Sequence, residues 1–181
     1  MSNASSTGFQ SWKLDPASSV NQQQFFKCDL TMDIQIFLAH AVKLEFETEE
    51  AYLKLLDIMA AQGNRDVAEF FREMADFSRL HGEAAKVRAG FDDSTDIHGI
   101  IDSWSGSRTN EIPNLNDFAS PLDLDGAMSL ALANERRGVS FYQEVATTTP
   151  DTETRLLAEE FAAEERGHVL ALERFFGLEP Y

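Results

Sequence analysis

The stretch LAEEFAAEERGHVLALERFF, residues 157–176, decides the reading of the fold. Leu157, Phe161, Leu172 and Phe175 recur at helical spacing, which puts them on one face of a helix. Glu165 and His168 fall on that same face and interrupt it. An ionised carboxylate buried among apolar side chains costs many kcal/mol unless something neutralises it. Three positions on a helix are about 60° around the axis and roughly 4.5 Å along it. Glu165 and His168 can therefore reach one metal ion together.

Three more helical patterns lie upstream. The first is capped by Thr31 or Asp33, stops at Gly63-Asn64, and carries Ile34, Leu38, Ala41, Glu45, Thr48, Tyr52, Leu55 and Met59 on one face. The second runs from Arg65-Asp66 to Gly90 with Val67, Phe71, Met74, Ser78, His81 and Ala85. The third follows Ser120-Pro121, an N-cap with proline in the first turn, and carries Leu124, Met128, Ala131, Glu135, Gly138, Tyr142 and Val145. Thr149-Pro150 repeats that start signal before the fourth, which Gly177 ends.

The predicted helices are thus about 33–62, 65–89, 121–147 and 150–176. Residues 91–119 form a long connection rich in Gly, Ser, Asn and Asp, with a short helix near Asp96–Trp104. Alternating apolar and polar runs bounded by turns are missing, which disfavours strands. Two short turns around one long crossover between helices 2 and 3 predict an all-α, antiparallel four-helix bundle of the ferritin-like kind over residues 31–181. Residues 1–30, rich in Ser, Asn and Gln, read as an arm that Phe9, Trp12, Phe25 and Phe26 anchor.

Composition narrows the function. The 181 residues are about one domain by length and carry a net charge of −16. Such a surface repels phosphates and anionic lipid, so nucleic acid and membranes are not expected partners. The single cysteine, Cys28, excludes an internal disulfide and any four-thiolate metal site. No basic start with an apolar core opens the chain, and no run of about 18 apolar residues follows, so the expected compartment is the cytoplasm.

Glu45, Glu135, Glu165, His81 and His168 all interrupt core faces, and no lysine or arginine shares those faces. A divalent cation is the natural source of compensating charge. The pattern also repeats: Glu45 precedes Tyr52 by seven positions, and Glu135 precedes Tyr142 by seven. Glu45 is followed by His81, as Glu135 is followed by His168. Two matching helix pairs imply a pseudo-two-fold bundle with one half-site from each pair.

Ala39-His40-Ala41-Val42 through Glu45 and Tyr52, the segment Phe71 to His81, and Leu157-Ala158-Glu159-Glu160-Phe161 through Glu164-Glu165-Arg166-Gly167-His168 are similar to the rubrerythrin family of ferritin-like di-iron proteins. The resemblance covers about residues 34–176. It implies an iron centre, two ions or one, with manganese as the alternative. It implies that Glu45, His81, Glu135, Glu165 and His168 are ligands, with Glu165 bridging. Tyr52 and Tyr142 would orient the carboxylates. The implied activity is oxidoreductase chemistry, reduction of peroxide or reaction with dioxygen, in a homo-oligomer, a dimer by the family's habit.

Two departures stand out. Where the family has a bridging Glu three positions before the second-helix histidine, this chain has Ser78. Three carboxylates then face a pair of divalent ions, so either hydroxide completes the site or one metal binds poorly. The stronger half is Glu135, Glu165 and His168. Asp76 and Glu73 lie about 200° and 140° around the helix from Ser78 and are not easy replacements. Changing Ser78 to Glu is expected to tighten a second metal. The rubredoxin-like domain is also missing, so electrons must come from an external donor protein. The rival reading is a degenerate bundle whose partial metal site serves iron handling, or which acts as a structural interaction module. His40, His98 and Cys28 are assigned no role.

Overall fold

The computed structural model describes residues 32–103 and 122–178, and among these there are helices and no strands. They are α1 (Ile34–Ala61), α2 (Arg65–Ala89), α3 (Ile97–Asp102), α4 (Leu124–Thr148) and α5 (Thr152–Phe175). The anchoring aromatics of the arm, Cys28, Trp104 and the Ser120-Pro121 start signal lie outside the described residues. None of the helices is long and apolar enough to cross a membrane.

Aspartates cap three of the four long helices, α1, α4 and α5. The side chains of Asp33, Asp123 and Asp151 accept from the backbone N–H three positions on, in Ile36, Gly126 and Thr154, at 2.9, 2.8 and 2.7 Å. This corrects two expected starts. Helix α4 begins at Leu124 rather than at 121, and α5 begins at Thr152 rather than at 150. A carboxylate is a good N-cap acceptor and suits the positive end of the helix. Pro150 sits before the Asp151 cap instead of in the first turn. The α1–α2 turn needs a left-handed residue, and Gly63 supplies it at φ +82. Gly90 does the same at the end of α2, where Phe91 N–H closes onto the Lys86 carbonyl at 3.0 Å.

The long helices share a layout: apolar, then polar, then apolar. One core cluster gathers Phe37, Leu38 and Val42 of α1, Ala85 of α2, Tyr142 and Val145 of α4, and Ala158 and Phe161 of α5. The other gathers Tyr52, Leu55 and Met59 of α1, Phe71 and Met74 of α2, Ala127 and Ala131 of α4, and Leu172 of α5. Each fully buried Phe, Leu or Met contributes roughly 1.5–3 kcal/mol. Two stripe positions differ from expectation: Leu124 and Phe175, the first residue of α4 and the last of α5, are exposed. Phe175 instead stacks on Phe70 at 4.0 Å between ring centres.

Between the clusters lies a buried polar belt of Glu45, Thr48, Ser78, Asn134, Glu135 and Glu165. Contacts across it fix the register. Tyr52 meets Glu135 while Tyr142 meets Glu45, so residue numbers fall along α4 as they rise along α1. Arg88 meets Glu160, His81 meets His168 and Phe70 meets Phe175, so α2 and α5 are related in the same way.

Candidate metal centre

Glu45 stands in mid-α1, Glu135 in mid-α4, and Glu165 and His168 one turn apart on α5. All three carboxylates are buried, at 5, 1 and 5% exposure, and His168 is nearly so. The His168 Nδ1 lies 3.2 Å from Glu135 Oε2 and 3.7 Å from Glu165 Oε2. One donor atom from each of Glu135, Glu165 and His168 falls within 4.8 Å of the others. Nitrogen and oxygen ligands bind small divalent ions at about 2.0–2.2 Å, so two ligands of one ion stand at most about 4.4 Å apart. The trio needs only a few tenths of an ångström to close on an ion.

Glu45 adjoins the trio through a hydrogen bond with Glu165. The tyrosines cross the bundle. The Tyr52 hydroxyl donates to Glu135 Oε1 from the opposite helix, and the Tyr142 hydroxyl donates to Glu45 Oε1 at 3.3 Å. His81 is half-buried, outside the trio, with its ring stacked on that of His168 at 5.1 Å and 14°. Ser78 is buried at 1% exposure, whereas Glu73 and Asp76 point to solvent. Asp76 pairs there with Arg79.

The electrostatics show what the cluster lacks. Burial, then the Glu135 charge, pushes Glu45 up to about 8. Burial also lifts Glu165 well above the carboxylate range, with Glu135 and Glu45 adding to it. Burial would raise Glu135 as well, but His168 and Glu165 donate to it and hold it below its ordinary value. Burial opposes a charge on His168, yet its bonds to Glu135 and Glu165 push it up to about 10. His81 is lowered by burial and by the charge on His168. Without a cation the centre therefore holds protons: an imidazolium balances Glu135, and Glu45 and Glu165 stay protonated near neutral pH. A divalent ion can take the place of those protons, and the donor set of carboxylate oxygens and imidazole suits iron or manganese.

Gly138 and Asn134, beside the carboxylates, carry weight to which the sequence pattern gave no role. Gly138 stands where a Cβ would lie 3.0 Å from both Cδ and Oε2 of Glu165. Asn134 donates to Thr48 Oγ1 at 3.0 Å, tying α4 to α1 beside the carboxylates. The glycine spacing on a core face was the one available signal for the first.

No family model matches the chain, and no curated protein matches it. Among solved structures, the chain is similar to the crystal structure of COG1633, an uncharacterized conserved protein from Magnetospirillum magnetotacticum MS-1. The two are 36% identical, with a TM-score of 0.65, over 83% of this chain and 97% of that one.

Proposed function

The chain belongs to the COG1633 family of conserved proteins, and from its buried acidic centre we propose that it is a metal-binding redox protein of the rubrerythrin-like kind. In this reading α1, α2, α4 and α5 are the rods of an antiparallel ferritin-like bundle, and the segment between α3 and α4 is its long crossover. The carrying observation is the buried Glu135, Glu165 and His168 trio. These three hold iron, and Glu45 and His81 provide the opposite half-site.

Each residue has a task. Glu165, a neighbour of both Glu135 and Glu45, would be the carboxylate shared by the two half-sites. Tyr52 and Tyr142 stay protonated, since burial and the neighbouring Glu135 and Glu45 charges lift both far above their usual range. They donate to the carboxylates and fix their orientation. The two apolar clusters keep bulk water from the centre from both ends. Iron supplies the electrons, one per ferrous ion, and two electrons with two protons take hydrogen peroxide to two waters. A separate protein restores those electrons, and the chain works as a dimer.

The test loads the protein with ferrous iron under anaerobic conditions, adds hydrogen peroxide and follows peroxide loss. Consumption of one peroxide per two ferrous ions, faster than with free iron and lost in Glu135→Gln and Glu165→Gln, is expected. A rate no greater than that of free ferrous iron would overturn the redox reading.

A further inference from the structure

The repeat maps one half of the centre onto the other by simple offsets. Glu45 and Tyr52 correspond to Glu135 and Tyr142, and His81 corresponds to His168. By the same offsets Thr48 corresponds to Gly138, and Ser78 corresponds to Glu165. In the α4–α5 half the corresponding positions are in contact: the Gly138 backbone lies against the Glu165 carboxylate, with no room for a methyl group at ordinary distance. In the α1–α2 half, Gly82 lies against Glu45, where an added Cβ would be 3.3 Å from the Glu45 Cβ. One turn onward along α1 and one turn back along α2 stand Thr48 and Ser78, both buried.

The two halves thus differ by complementary changes. One pairs a glycine with a glutamate. The other pairs a β-branched residue with a serine. Thr48 is stiff at χ1 and accepts the Asn134 hydrogen bond, so it does not swing aside freely. By the repeat, its side chain stands at the position equivalent to the one that Gly138 leaves open beside Glu165.

We propose that Thr48 and Ser78 together close the α1–α2 half of the centre, so that the chain holds one ion tightly between Glu135, Glu165 and His168 and a second one weakly. The proposal rests on the metal reading above and adds the residue that sets how many ions are held. Thr48 is a positioning residue that acts through space, not a ligand. A glutamate at position 78 alone meets Thr48 and cannot reach the centre, which reverses the expectation drawn from the sequence that Ser78→Glu by itself tightens a second metal.

The experiment titrates ferrous iron anaerobically into the full chain and counts bound ions by equilibrium dialysis and mass spectrometry. It compares the wild type, Ser78→Glu, and the paired variants Thr48→Gly/Ser78→Glu and Thr48→Ala/Ser78→Glu. Circular dichroism melts confirm that each protein is folded. The wild type and Ser78→Glu are expected to bind one tight ion. At least one paired variant is expected to bind two, with the second held about tenfold more tightly than in the wild type. Two tight ions in Ser78→Glu alone, or a single one in both folded paired variants, would overturn the role of Thr48. No ion in any of the four proteins would instead overturn the metal reading on which it rests.

Discussion

Replacing Gly138 by alanine separates a structural glycine from one that makes room for a ligand. In a helix interior glycine is about 1 kcal/mol worse than alanine, so on propensity alone Gly138→Ala should stabilise α4. The added Cβ, however, would lie 3.0 Å from Cδ and Oε2 of Glu165 and 3.3 Å from its Cγ. That carboxylate is hemmed in by Glu135, His168 and Glu45 and cannot retreat without leaving the trio. Disturbing the support of a metal ligand typically costs about 10–100-fold in affinity. A tenfold loss reduces the stabilisation by saturating metal by about 1.4 kcal/mol. In a chain this size that is roughly 3–6 °C of the metal-induced rise in Tm. Gly167 on α5 is the control, since nothing lies within 4 Å of a Cβ built there. Gly167→Ala should raise stability by roughly 0.5–1 kcal/mol and leave metal affinity unchanged. Thermal melts with and without ferrous iron, paired with titrations, read both effects. Wild-type affinity in Gly138→Ala would refute the reasoning.

Tyr52→Phe removes the hydroxyl that donates to Glu135. Metal affinity should fall about tenfold while the fold is kept, and titration beside a melt checks it; an unchanged affinity would show that Tyr52 only fills space. His40 offers a pH signature away from the centre. Burial, then Lys43, holds it down to about 4, so the folded chain resists its protonation. The unfolded chain takes up that proton first, and stability present above pH 6.5 is lost as the pH falls toward 4. At pH 5 the loss is about 2 kcal/mol. Glu45 and Glu165, raised by burial, act with the opposite sign over the same range, so the reading is the difference between the wild type and His40→Leu. Denaturant melts from pH 7 to 5 should show that difference shrinking as the variant escapes the acid loss, and parallel curves would contradict it.

The long helices were legible because their stops are explicit. Gly63, Gly90 and Gly177 take positive φ, and the apolar spacing between them leaves little choice of face. The starts were harder. Ser120-Pro121 and Thr149-Pro150 offered plausible caps, but the chain held Asp123 and Asp151 a few residues later, and the carboxylates took the role. The acidic belt showed itself as Glu45, Glu135 and Glu165 standing where apolar residues belong. What the linear pattern could not supply was the pairing across helices. Nothing local says that Tyr52 serves Glu135 and Tyr142 serves Glu45. The meaning of Gly138 and Thr48 likewise depends on which residue of the next helix each one faces.

The most direct measurement is anomalous diffraction at the iron edge, with metal content by mass spectrometry, on protein produced with iron available. At least one iron per chain and a peak bounded by Glu135, Glu165 and His168 are expected. Metal far below one ion per chain, or a peak that avoids those three side chains, would contradict it.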